Sequence, residues 1–142
     1  MKKLLTLLIA IVLTATAVAQ SAAVKTASSM TAAFNPDTEQ WDVIGDSEEP
    51  LFIIFSPDYA EIKNVAGDVF TFHDSVQEEN ANYERITFIG IDQHNEPVTF
   101  AHIFYYPNGK AIDIDPYAYF ILVDYLAVDI RVNHLIYDKS LQ

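Results

Sequence analysis

From residue 40 onward, apolar and polar residues alternate in short runs separated by turn residues. Val98–Tyr106 is the clearest run. Val98, Phe100, His102, Phe104 and Tyr106 share one face, and Thr99, Ala101, Ile103 and Tyr105 the other. A period of two with β-branched and aromatic residues is the strand signature. The same reading predicts strands at 40–44, 69–73, 85–91, 110–114 and 128–136. Residues 51–55 are all apolar, which predicts a strand covered on both faces.

The punctuation agrees. Asn35-Pro36-Asp37 marks a turn, the polar stretch 92–97 ending at Pro97 reads as a hairpin loop, and Pro107-Asn108-Gly109 predicts the strongest hairpin. A turn or bulge is required near 124–129, because one strand from 117 to 137 would exceed ordinary lengths. Three segments admit two readings. Residues 57–66 could follow a Ser56 cap as a helix or form a turn and a strand. Residues 76–83 fit a capping box at Ser75. Residues 116–127 could open at Pro116 as a helix, but their content of Tyr, Phe, Ile and Val favours strand.

Together these features predict an all-β fold, a small antiparallel barrel or sandwich. With its single Trp near the start, the meander is similar in architecture to a calycin-type barrel. An α+β fold with one or two short helices is the alternative. Residues 20–38, rich in Ala, Ser and Thr, read as a flexible leader, and residues 39–142 as a single β domain.

The first residues change the picture by compartment. Lys2 and Lys3 precede an apolar stretch from Leu4 to Leu13, and Ala17-Val18-Ala19 supplies the small-x-small cleavage pattern before Gln20. This predicts a signal peptide over 1–19, cut between Ala19 and Gln20. Its apolar core of about ten residues is short of the roughly 20 needed to span a bilayer. The mature chain is therefore expected to be periplasmic or extracellular, with no membrane span. Cleavage would leave 123 of the 142 residues, and six basic residues of eight against twenty acidic ones, a net charge of −14. Such a surface repels phosphate backbones, so no nucleic-acid partner is expected. The chain has no Cys, which excludes thiol nucleophiles and zinc–cysteine sites.

Candidate chemistry is sparse. No Gly-x-Ser-x-Gly motif and no glycine-rich phosphate loop occur. Asp113 with Asp115, Asp92 with His94 and His73-Asp74 are the local pairs a hard cation could use. Their ordinary reading is a solvated strand face, and no metal or cofactor is expected. Asp124, the one acid in the apolar run from Phe120, reads as a bend marker or as an acid with a raised pKa. His102 and His134 each continue an apolar face. If both faces point inward, two imidazoles share one interior, either as core groups bonded to hydroxyls or as a ligand contact or general base. Trp41, His102 and His134 are the ligand-binding candidates, and no catalytic residue is assigned. The expected function is a non-enzymatic exported β module that binds a small apolar or aromatic ligand or a protein, or serves the envelope structurally. A small acid- and histidine-dependent hydrolase is the alternative. The enzyme would place a histidine beside a carboxylate, and the binder would offer a lumen or an exposed aromatic patch.

Overall fold

The computed structural model describes residues 22–58, 60–64, 67–110 and 115–141. Ten strands form one antiparallel sheet: β1 (Ala22–Lys25), β2 (Ser28–Asn35), β3 (Gln40–Ser47), β4 (Phe52–Phe55), β5 (Glu61–Asn64), β6 (Val69–Glu79), β7 (Tyr83–Asp92), β8 (Pro97–Tyr105), β9 (Ala118–Tyr125) and β10 (Ile130–Asp138). A short 3-10 turn, Lys139–Leu141, follows. The order across the sheet is β1-β4-β5-β6-β7-β8-β9-β10-β2-β3.

That order hides a ring. β1 and β2 are joined by Thr26 and Ala27 alone, and they border opposite ends of the meander. The Thr26 amide donates to the Leu51 carbonyl beside β4 (2.8 Å), and the Ala27 amide donates to the Leu135 carbonyl of β10 (2.7 Å). Residues 22–35 are thus one bent strand, and β3 and β4 together form its hairpin partner, with Ala22 opposite Phe55 and Asn35 opposite Gln40. Eight effective strands close into an up-and-down barrel. Closure of this kind satisfies strand edges that would otherwise lie open.

The expected all-β architecture is the one observed, and three of its details differ. Residues 22–35, expected as a flexible leader, are β1 and β2, and Ala22, Val24 and Thr26 are buried. The domain begins before residue 39. Composition misled here because small Ala, Ser and Thr residues suit a strand packed against bulky neighbours. Residues 76–83 carry no helix, most of them belonging to β6 and β7, whereas the strand favoured within 116–127 forms as β9. Strand β4 is covered on one face only, with Ile53 and Phe55 buried and Phe52 45% exposed. The Pro107-Asn108-Gly109 turn does form, with the Gly109 amide bonded to the Tyr106 carbonyl. It opens the connection from β8 to β9, which are antiparallel neighbours in the sheet. The expected strand 110–114 falls almost wholly outside the described residues, as does the expected signal segment with Ala19 and Gln20.

The turns at one end of the barrel place residues in the left-handed region: Glu39 (φ 55°), Asn95 (φ 59°) and Asp129 (φ 52°). Asn95 is steadied by Asp92, whose carboxylate accepts the amides of His94 and Glu96. At the other end, Asn82 Nδ2 donates to the carbonyls of Tyr106 (3.1 Å) and Pro107 (3.2 Å), tying the β6–β7 turn to the β8–β9 connection.

Side chains from all around the ring fill the interior. Phe55, Ile62, Phe70, Ile86, Phe100, Phe104, Tyr119 and Ile121 form one buried cluster with their neighbours. An eight-stranded barrel has an interior just wide enough to be filled in this way. The rings pack offset or edge to face, as aromatic quadrupoles prefer: Phe104 lies 4.4 Å from Tyr119, and Phe55 meets Phe100 at 83°. Gly90 sits where the β6 backbone crosses closest, opposite Phe72 at the bulge between Phe72 and Asp74. A Cβ at Gly90 would overlap the Thr71 carbonyl oxygen. Gly90→Ala is therefore expected to destabilise the fold by about 1–3 kcal/mol, read as a lower urea midpoint with an unchanged denaturant slope.

Candidate functional site

The pairing register decides what the candidate residues can do together. His102 on β8 lies opposite Ile121 on β9, Ile121 lies opposite His134 on β10, and His134 lies opposite Ser29 on β2. Directly opposed residues share a face of the sheet. Both imidazoles therefore point into the barrel from one cross-strand row, with Ile121 between them. Two strand spacings separate their backbones by roughly 9–10 Å.

Each ring has a hydroxyl partner. His102 Nδ1 lies 2.6 Å from the Tyr119 hydroxyl, and His134 Nδ1 lies 2.7 Å from Ser29 Oγ. Around His102 are Phe55 (5.4 Å), Phe88 (5.9 Å) and Phe100 (5.4 Å). Burial among them penalises the charged imidazolium and pushes its pKa down to about 3. Burial also lowers His134, to about 4, against an opposing pull from the Asp68 carboxylate. Both rings are neutral at ordinary pH. The arrangement matches the core-histidine reading of the sequence, with imidazoles bonded to hydroxyls.

Trp41 does not join them. It lies opposite Phe34, which belongs to the other face of β2 from Ser29. Its ring packs 5.4 Å from Phe34 on the outside of the barrel. The Arg131 guanidinium sits 4.3 Å from the Trp41 ring centre, a cation–π contact. Arg131 also holds Asp124 through two parallel bonds, Nε to Oδ1 at 2.7 Å and Nη2 to Oδ2 at 3.0 Å. Asp124 is accordingly the carboxylate of an outward-facing ion pair rather than a bend marker.

Two features escaped the sequence reading. One is Glu84, which shares the inward face of β7 with Ile86 and is 2% exposed. Lys110 lies 3.6 Å from it and 2.9 Å from Glu79, at the rim of a cavity of about 220 Å³ lined by Tyr106, Tyr117, Asp115 and Lys139 among others. The parity of Glu84 with Ile86 and Phe88 was the available signal. The other is the β2–β3 hairpin, which runs on past the β5–β6 turn. Every residue of β3 is exposed, including Val43 and Ile44 at 60% each. Its signal was the alternation around Trp41 and Val43, which means little until residues 28–35 are known to be its partner strand.

Among the described residues, no three acidic or histidine side chains converge as metal ligands. No helix among them is long and apolar enough to cross a membrane. Compared with protein-family models, with curated proteins and with solved structures, the chain matches none.

Two outcomes test the histidine row. Both folded-state pKa values lie below the ordinary 6.5, so the unfolded chain binds the extra protons. This contribution to stability is complete above pH 6.5 and is lost as pH falls toward 4, by about 1.4 kcal/mol per pH unit for each ring. Chemical denaturation at pH 7, 6 and 5 should show that slope, and His134→Asn should reduce it. An undiminished slope would place the titration elsewhere. Tyr119→Phe keeps the ring contact with Phe104 but removes the hydroxyl at His102, and is expected to cost about 1–3 kcal/mol in unfolding free energy.

Proposed function

We propose that the chain is an exported, non-enzymatic binding module that engages a protein through its β2–β3 hairpin. The observation that carries this reading is the full exposure of β3 beside a barrel interior filled with side chains. Soluble proteins tend to bury clustered apolar side chains, and exposed ones rimmed by polar residues mark contact surfaces. On this hairpin Met30, Trp41, Val43 and Ile44 are all at least 36% exposed, interleaved with Asp42 and Asp46. The barrel gives the hairpin a rigid base, and Arg131 fixes the Trp41 ring against it.

The hydrolase reading needed a histidine oriented by a carboxylate; the hydroxyl partners of His102 and His134 and their depressed pKa values support a structural role instead. Export rests on the leader pattern Lys2 to Ala19, and a periplasmic or extracellular site follows from it.

A photo-activated cross-linking residue at position 43, introduced in the native host, is expected to yield a discrete protein adduct. The same residue at position 63, exposed on β5, should yield none. Native mass spectrometry of the purified protein supplies the contrary outcome. A retained small molecule together with no adduct at position 43 would replace hairpin docking with ligand binding.

A further inference from the structure

We infer that the outer edge of β3 accepts an extended, lysine- or arginine-bearing peptide segment by strand addition, with Asp42 and Asp46 receiving its cations. This rests on the hairpin reading above and adds the conformation and charge of the partner. Among the described residues, β3 has a strand neighbour on one side only: it pairs with β2 and ends the sheet order. In an antiparallel edge strand of eight residues, about four turn both N–H and C=O away from the sheet. Those groups are in water here, since all of β3 is exposed. An added strand would satisfy them and extend the sheet, as in other peptide-binding sheets.

Natural edge strands are commonly guarded by Lys, Pro or a bulge. β3 contains neither Lys nor Pro. It does carry a bulge, where the register passes from Thr31–Gly45 to Ala32–Val43 and leaves Ile44 without an opposite residue. The ladder is regular on either side of that point. Residues 40–43 on one side and 45–47 on the other remain straight templates.

Charge selects the occupant. From residue 26 through residue 62 the chain has no Lys or Arg, while Asp37, Glu39, Asp42, Asp46, Glu48 and Glu49 lie on or beside the hairpin. A second copy of this acidic chain would bring like charge to like charge, which opposes self-pairing. A cationic strand gains at the same positions. The register fixes which side chains meet it: Trp41, Val43 and Asp46 lie on the outer face with Phe34, Ala32 and Met30, and Asp42 lies on the inner face with Ala33. An alternating basic and apolar segment with its apolar face over Trp41 and Val43 places its cations on the inner face beside Asp42, and Asp46, across the bulge, adds charge attraction from the outer face. Arg131 already covers one face of Trp41, so the incoming cations are assigned to the carboxylates and the apolar side chains to Val43, Ile44 and the free edge of the indole.

The test uses the mature chain and three capped octapeptides: alternating Lys and Val, alternating Glu and Val, and alternating Lys and Pro. The third has the charge of the first but lacks every second N–H. Titration followed by amide NMR is expected to show binding of the Lys–Val peptide alone, with shifts concentrated at residues 40–47. Asp42→Asn with Asp46→Asn should weaken it about tenfold. Both positions are exposed, and an unchanged urea midpoint verifies the fold. Equal binding of the Lys–Pro peptide would reduce the effect to bulk charge attraction and overturn strand addition. Equal binding of the Glu–Val peptide would overturn the charge assignment. Binding of none would assign the acids to protecting the edge. An adduct at position 43 without Lys–Val binding defeats this inference alone; the absence of both defeats the hairpin reading as well.

Discussion

The whole barrel depends on residues 22–35 serving two neighbours at once. Their first four residues pair with β4, Ser28 to Ala33 pair with β10, and the changeover takes place across Thr26 and Ala27. Thr26 is buried, and besides its amide bond its hydroxyl accepts the Leu51 amide at 2.9 Å. Without this strand, β4 and β10 would each present a row of unsatisfied amides and carbonyls. The interior behind them would also lose Ala22 and Val24, two of its closing side chains.

Closure explains why the histidines are quiet. A ring of eight effective strands leaves space for side chains, and this chain fills it with aromatic rings. An imidazole placed there has two ways to avoid an unsatisfied polar group: charge beside an acid, or neutrality beside a hydroxyl. His102 and His134 take the second course, with Tyr119 and Ser29. The interior gains a specific polar contact at each and avoids burying an unpaired ion.

The core strands were legible because their alternation is strict. Every residue read as one face of β8 from Val98 through Tyr106 is buried. β2 was not legible, because Ser28, Ser29, Thr31, Ala32 and Ala33 carry little hydrophobic contrast. Their assignment to a strand comes from pairing with β3 across the hairpin and with β10 a hundred residues away, and neither shows as contrast within the segment itself. For the same reason the shared face of His102 and His134 could be posed as a conditional, while their spacing required the β8–β9–β10 register. Trp41, a candidate beside the histidines, lies on the opposite face of the sheet from them. Its face follows from pairing with Phe34, and so from the strand that was missed. The helical reading at 76–83 arose from a local cap, and tertiary pairing overrode it.

The seam between β2 and β10 joins Ser28 to Leu135. Contacts so remote in sequence carry a large loop-closure cost and form late. A nascent chain emerging from the ribosome cannot shut this ring until β10 has been made. Until then β2 and β9 each keep one unpaired side, and β10 seals the sheet by entering between them.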